Sequence, residues 1–303
     1  MEFRLLVTFE KVATVLSFTR AATELKYAQS SVTGQVRSLE SSLGVELFER
    51  LGSRIRLTEA GERLLPYARR IIELNEEARA AVAEAEEPAG SIAVGTMESL
   101  TSYRLPPLLE LFHHRYPKVQ LTLRPTLGDE TRQALRQGTY DVGFLMERET
   151  EHEGLETEIL APEPLVLVAG PGHPLTGRTG LTSADLAAAR LVGTEPGCPY
   201  RDLFEEELRR WAPPFMEFGT IEATKRGVAG GLGIALLPRV TVSEELASGA
   251  LVELDWEPPF TLVTQIAWRR GKRLPAHVRL FVEQARRLVR EESPEASSPS
   301  PTA

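Results

Sequence analysis

Residues 17–50 read SFTRAATELKYAQSSVTGQVRSLESSLGVELFER, and this stretch decides the character of the N-terminal part of the chain. Phe18, Ala21, Ala22 and Leu25 recur at i, i+3, i+4 and i+7, the apolar stripe of a short helix. Val32, Val36, Leu39 and Leu43 form a second stripe, and Gly44 is placed to end that helix in the left-handed conformation. The link between the two is Lys26-Tyr27-Ala28-Gln29. Two short helices joined so tightly cannot lie antiparallel with long overlap, so they cross steeply, as in a helix-turn-helix.

Working outward, Leu5, Phe9, Val12 and Leu16 predict one more helix before the pair. After it, ELFER and RIRLT flank Leu51-Gly52-Ser53 and read as a small β-hairpin, or wing, carrying Arg50, Arg54 and Arg56. Thr58 starts a long helical run to about Glu87. Along it Leu64, Ala68, Ile71, Leu74, Ala78, Val82 and Ala85 keep a spacing of 3.5 to 4. At 1.5 Å per residue such a helix is about 40 Å long. Its narrow apolar stripe reads as a helix–helix seam, hence self-association, against the plainer alternative of a linker packed on its own body. Pro88-Ala89-Gly90 ends the helix and marks a hinge.

Beyond the hinge, short apolar runs alternate with helical patterns and Gly/Pro turns, the signature of an α/β domain. Strands are expected at Ser91–Gly95, Val119–Arg124 and Val142–Met146, with helices at about Leu105–His114 and Glu130–Gln137. This β-α-β-α-β order favours a parallel sheet. A second series follows: strands at Leu165–Ala169, Leu191–Gly193, Glu217–Ile221 and Ile234–Pro238, and helices at Asp185–Ala189, Tyr200–Trp211 and Glu222–Gly230. A strand at Thr264–Arg269 and a helix at Pro275–Arg290 close the pattern. Two such units imply a cleft between them, and ligands prefer clefts at the carboxyl ends of strands.

Charge is distributed unevenly. Residues 1–70 carry 11 Lys+Arg and 8 Asp+Glu, a net of +3, against −8 for the 303-residue chain. A basic head on an acidic body fits a polyanion met by the head alone. The single cysteine, Cys198, excludes an intrachain disulfide and a multi-cysteine metal cluster. No apolar run approaches a membrane span, and MEFRLLVTFEK lacks the plan of a signal peptide, so a cytoplasmic protein is expected. The five histidines form no metal pair, and neither GxSxG nor a P-loop occurs, so no enzyme, metal or cofactor is expected. Gly230-Gly231-Leu232-Gly233 reads as a tight turn into a strand.

Phe9, the 17–50 stretch and RIRLTEAG together resemble the LysR-type transcriptional regulators. The body resembles the same family through RLPPLLELFHHRYP, LRQGTYDVGFL, GCPYRDLFEEEL and GGLGIALLP. The resemblance spans about residues 3–290. It implies an α/β architecture with three parts: a winged helix-turn-helix DNA-binding domain at 1–58, a linker or dimerisation helix at 59–87, and a two-lobed effector-binding domain like periplasmic binding proteins at 91–290. Lobe I is expected at 91–161 and 266–290, lobe II at 162–265, and a disordered tail at 291–303. Expected partners are double-stranded DNA, a small-molecule effector, and further copies of the chain as a homodimer or dimer of dimers. No membrane is expected among them.

The resemblance places the third helix in the major groove. Gln29 is then the leading base reader, because an amide both donates and accepts, as adenine asks. Ser30, Ser31 and Thr33 meet phosphates, bases or methyl groups; Arg37 and the wing arginines Arg50, Arg54 and Arg56 position the head on the backbone. The family usually has Ser where this chain has Ala28, and losing such a cap costs about 1 kcal/mol unless Ser30 or Ser31 replaces it. In the cleft the candidates are Ser99, Thr101, Thr126 and Glu147 from one lobe, and Thr194, Cys198 and Arg201 from the other. Ser99 and Thr101 can alternatively cap a helix, and Arg201 can pair Glu205 rather than a ligand carboxylate. Cys198, near Arg201 and a helix start, is a candidate redox thiol with a lowered pKa, or a wall of the cleft. Alternatives to an effector-controlled regulator are one that responds to no effector, a redox-responsive one, and a solute-binding protein. Glu98 and Glu147 disfavour a simple anion as ligand.

Overall fold

The computed structural model describes residues 2–51, 54–82 and 88–292, and the chain divides into two units, the first made of Met1–Glu86 with Gln137–Thr139 and Arg273–Pro275, the second of the remainder. The expected tail lies outside the described residues from 293 onward.

The first unit opens with α1 (Phe3–Val15), α2 (Phe18–Leu25) and α3 (Gln29–Leu43). The paired strands β1 (Phe48–Leu51) and β2 (Arg54–Leu57) and the long helix α4 (Glu59–Val82) complete it. The apolar stripes meet in one core: Phe9, Val12, Val32 and Leu39 are fully buried. Each such side chain contributes roughly 1.5–3 kcal/mol by leaving water. Phe48 ties the strand pair to this core, with its ring 5.5 Å from Phe9 and 5.7 Å from Phe18.

The turns follow from local chemistry. Ser17 caps α2 by accepting from the Arg20 N–H at 3.2 Å. Lys26 then takes a left-handed φ of 56°, and the Tyr27 N–H reaches back to the Ala22 carbonyl at 2.9 Å. Gly44 ends α3 at φ 73°, as its position predicts. Thr58 caps α4, its hydroxyl accepting from the Gly61 N–H and donating to the Glu46 carbonyl. Pro66 lies inside α4 and lacks the N–H that would reach the Glu62 carbonyl.

The second unit carries two five-stranded sheets. The first contains β3 (Gly90–Thr96), β4 (Val119–Pro125), β5 (Val142–Glu147) and β6 (Leu155–Glu163). Helices α5 (Pro106–Arg115) and α6 (Gly128–Arg136) connect the first three of these strands. β3 pairs in parallel with both β4 and β5, as the alternation predicts. A π-helical turn at Leu100–Arg104 before α5 was not expected, nor was β6.

The second sheet contains β7 (Leu165–Ala169), β8 (Leu191–Gly193), β9 (Phe215–Glu217), β10 (Ile234–Pro238) and β11 (Val252–Glu253). Its helices are α7 (Ser183–Leu186), α8 (Pro199–Leu208), α9 (Ile221–Ala229) and α10 (Ser243–Ser248). The strand expected at 217–221 sits earlier, because Thr220 accepts from the Ala223 N–H and starts α9 at Ile221. Gly233 enters β10 where a Cβ would stand 2.1 Å from the Arg190 carbonyl, so the glycine-rich turn is a close backbone approach.

The chain then returns to the first sheet as β12 (Leu262–Arg269), antiparallel between β5 and β6, and ends in α11 (Ala276–Glu292). The first sheet thus takes in Pro162–Glu163 and Leu262–Gln265, beyond the residues expected for the first lobe. The chain passes between the sheets twice, from β6 to β7 and from β11 to β12.

Gly61 is the tightest joint of the first unit. A Cβ there would lie 2.2 Å from the Leu47 carbonyl oxygen and 2.8 Å from Leu57 Cδ2. Gly61→Ala should therefore lower stability by roughly 1–3 kcal/mol, read as a lower urea midpoint.

Candidate functional site

The chemistry concentrates in two places, one in each unit. In the first unit, α3 buries Val32, Val36 and Leu39 and leaves Gln29, Ser30, Ser31 and Arg37 exposed, with Thr33 half-buried. The expected readers thus share the outward face of one helix. Thr8 of α1 donates to Gln35 at 2.5 Å and anchors α3 against α1. Ala28 is the N-cap with extended backbone, and no side chain caps the helix. Neither Ser30 nor Ser31 replaces the missing serine. Arg37, Thr33 and Phe18 line a cavity of about 400 Å³ whose floor includes Val36 and Phe48.

Of the wing arginines, Arg56 is exposed and paired across the hairpin with Glu49, at 2.6 Å. That pair offsets much of its charge. The side chains of Arg50 and Arg54 lie outside the described residues. On α4, Ala68 is buried and Leu64 packs on the head core, while Tyr67, Ile71 and Leu74 are exposed. The far end of the expected seam, Val82 and Ala85, lies outside the described side chains.

In the second unit, Ser99 and Thr194 stand after strands β3 and β8. Both are 2% exposed; the Ser99 hydroxyl closes no hydrogen bond, and the Thr194 hydroxyl faces the Cys198 thiol and the Tyr200 hydroxyl. Ser99 precedes the π-helical turn but does not cap it. Thr101, by contrast, donates to the Met97 carbonyl at 3.0 Å, a purely local bond. Thr126 shares a 2.7 Å bond with Thr131. Glu147 sits in a polar network: Arg132 donates to it at 2.5 Å, the His152 ring bonds it at 2.5 Å, and Gln265 donates at 3.3 Å. Its charge is therefore balanced from within. Glu147 also lines a cavity of about 540 Å³ between the α6 N-terminus and the start of α8, with Leu127, Arg148, Pro199 and Asp202. The other expected cleft residues do not line that cavity.

Arg201, expected to receive a ligand carboxylate, is turned inward. It donates to Glu205 at 2.9 Å, to Glu217 at 3.2 Å and to the Thr194 carbonyl, and it stacks 4.2 Å from the Phe215 ring. Cys198 is 1% exposed, and the expectation of a lowered thiol pKa fails. Burial is the main cause that pushes the thiol up to about 11, and the nearby Glu195 carboxylate adds to it. The sequence suggested a helix start and an arginine; it did not show that the arginine faces elsewhere and that the thiol is desolvated.

Three features were not anticipated. Glu195, next to Thr194, has a buried carboxylate oxygen without a hydrogen-bond partner. Glu163 at the end of β6 has a fully buried side chain, held by Arg104 at 3.0 Å and by Thr264 at 2.9 Å. Lys225 of α9 bonds Glu222 at 2.5 Å, Glu245 at 2.7 Å and the Tyr103 hydroxyl at 3.1 Å. Burial opposes the charge of Lys225, but these bonds outweigh it and raise its pKa above the usual lysine range. Glu163 is a single charged residue in an apolar stretch, and that contrast is a signal a sequence could have carried; Lys225, next to Arg226, gives none.

At pH 8 the buried Cys198 should react far more slowly with a thiol reagent such as Ellman's than the same thiol in urea. The native rate should rise as pH approaches 11, because the thiolate is the nucleophile.

A family model described as a bacterial regulatory helix-turn-helix protein of the lysR family matches residues 3–62. A second, the LysR substrate binding domain, matches residues 85–290. The HTH-type transcriptional regulator YwqM of Bacillus subtilis is 39% identical over 293 residues, covering 96% of this chain and 100% of the relative. A RuBisCO operon transcriptional regulator of Allochromatium vinosum is 34% identical over 291 residues, covering 93% and 95%. Among solved structures, full-length OxyR of Pseudomonas aeruginosa aligns with a TM-score of 0.79 at 26% identity, covering 96% and 95% of the chains. Full-length CbnR complexed with its target DNA aligns at 0.61 and 27% identity, covering 95% and 100%.

Proposed function

The chain belongs to the LysR family of DNA-binding transcriptional regulators, and on that premise we propose how its own residues read DNA and sense an effector. The observation that carries the proposal is the two-faced α3. Its apolar stripe is locked into the head core, and Gln29, Ser30, Ser31, Thr33 and Arg37 project from the outward side. An α-helix fits the major groove, and residues near its N-terminus reach base edges. Gln29 reads a base, and Arg37 holds a phosphate. The wing arginines Arg50, Arg54 and Arg56 position the head. CbnR, solved on its target DNA, is a precedent for a relative in that state.

One head makes too few contacts for useful specificity. The exposed Tyr67, Ile71 and Leu74 on α4 supply an apolar stripe for a second copy, so two heads read two half-sites. The cleft between the two sheets takes a small effector, with Ser99 and Thr194 as its first polar contacts. Effector then favours one arrangement of the lobes, and its differential affinity for the two arrangements supplies the shift in DNA binding. Among the described residues, no helix is long and apolar enough to cross a membrane.

Selection of genomic fragments by the purified protein, sequenced at two salt concentrations, should enrich an interrupted palindrome and lose affinity steeply as salt rises. Absence of enrichment from a folded sample would overturn the reading. Gln29→Ala should relax preference at one base position by about 1–3 kcal/mol, whereas Arg37→Ala should weaken all sites alike and reduce the salt slope by about one.

Leu74→Lys should shift the protein toward smaller species in sedimentation velocity without lowering its helix content. An unchanged assembly would remove α4 as the seam.

A further inference from the structure

The cleft differs from an anion-binding pocket in how its charges are arranged. Its arginines and its lysine face protein groups. Arg132 pairs with Glu147 and Asp129, Arg201 with Glu205 and Glu217, and Lys225 with Glu222 and Glu245. Arg148, on the rim of the 540 Å³ cavity, is exposed to water. The groups left without partners are of the other kind. Glu195 keeps one buried carboxylate oxygen that accepts no hydrogen bond, and beside it the Thr194 hydroxyl, 2% exposed, faces the Cys198 thiol and the Tyr200 hydroxyl. Ser99, on the other sheet, is equally buried, and its hydroxyl is unpaired.

These three residues lie at strand ends where the two sheets approach each other. Glu98, the neighbour of Ser99, accepts from the Ile221 N–H at 3.3 Å. On the other flank, a Cβ placed on Gly197 would stand 3.1 Å from Leu127. These contacts join the segment that carries Ser99 to the start of α9, and the loop after Glu195 to the segment before α6. Burial is the main cause that disfavours the anions of Cys198 and Tyr200; the Glu195 charge adds to it, at Tyr200 as a smaller cause than Cys198.

A buried carboxylate oxygen without a donor is costly, and natural proteins rarely keep one without a use. We propose that the effector of this cleft is a small amine-bearing molecule of the amino-acid class, whose ammonium group donates to Glu195 while its acceptor groups take the hydroxyls of Ser99 and Thr194. The proposal rests on the cleft being the effector site and names the chemistry of what enters it. A simple mono- or dicarboxylate brings acceptors to Ser99 and Thr194 but leaves Glu195 unpaired and repelled, which is the wrong complement.

The test uses the full chain and two sets of probes. The twenty L-amino acids with ethanolamine and putrescine form one set, and acetate, succinate and benzoate, which lack the amine, form the other. Each is added singly at millimolar concentration and read by thermal shift, with calorimetry on any that stabilise. The expected result is stabilisation by at least one amine-bearing probe and by none of the plain carboxylates. Affinity for that probe should fall at least tenfold in Glu195→Gln, an isosteric change that leaves the fold intact, and also in Ser99→Ala. No response to any amine, or amine binding that Glu195→Gln leaves unchanged, overturns the proposal. Carboxylate binding that depends on Ser99 also overturns it while keeping the cleft as the effector site. Salt-dependent DNA binding by the same preparation separates any of these failures from a failure of the regulator reading.

Discussion

The buried carboxylate of Glu163 is the constraint on which the second unit depends. It stands at the end of β6, where the chain leaves one sheet for the other, and Thr264 of the returning strand β12 donates to it at 2.9 Å. Arg104 adds bonds to both oxygens, at 3.0 and 3.2 Å. One side chain thus ties together both crossings and the turn that follows Ser99. Removing a charge from water is repaid only when its hydrogen bonds are complete, and removing one partner of such a pair costs about 3–5 kcal/mol. The loop that carries Ser99 and Tyr103 is accordingly held where the chain passes between the two sheets.

Around that point the cleft is built from polar groups in two conditions. Most are satisfied: Glu147 within its Arg132–His152–Gln265 network, Arg201 within its carboxylates and the Phe215 ring, and Lys225 between Glu222, Glu245 and Tyr103. Of these, Glu147 and Arg132 line the cavity, and bonds from Tyr103 to Glu222 and from the Ile221 N–H to Glu98 bridge the two halves of the unit. A few are not satisfied, among them Ser99 and Glu195, and these are the groups the proposed effector engages. A charged residue in a cleft is therefore a poor guide by itself; whether its hydrogen bonds are already taken decides whether it meets a ligand.

The first unit shows the same division between scaffold and contact. Phe48 binds the strand pair to α1 and α2, the left-handed Lys26 sets the steep turn, and the Thr8–Gln35 bond holds α3 in place. All three act on the inner face, so the outer face of α3 is free to carry polar residues of any reading specificity. On α4 the break is along the helix: Leu64 and Ala68 belong to the head core, and at Ile71 and Leu74 the stripe turns to solvent.

What the sequence determined by itself is whatever depends on neighbours a few residues apart. The three head helices, the Gly44 cap, the hairpin and the alternation in the body were legible because helical and strand periodicity and turn chemistry are local. The family resemblance rested on the same local pattern. The strand β6 was missed because its alternation is weak: exposed Ile159 interrupts it at an irregular pairing with β12. The start of α9 was displaced because Thr220 won a cap over a strand. The tertiary structure alone decided which polar side chains are free. Arg201 and Cys198 looked like ligand and redox groups in sequence, yet one is enclosed by acids and the other desolvated. Glu195 was passed over, yet one of its carboxylate oxygens, like one of Glu245, is buried without a donor. Burial and partnership come from residues distant in sequence, such as Glu217 against Arg201, and no local pattern encodes them.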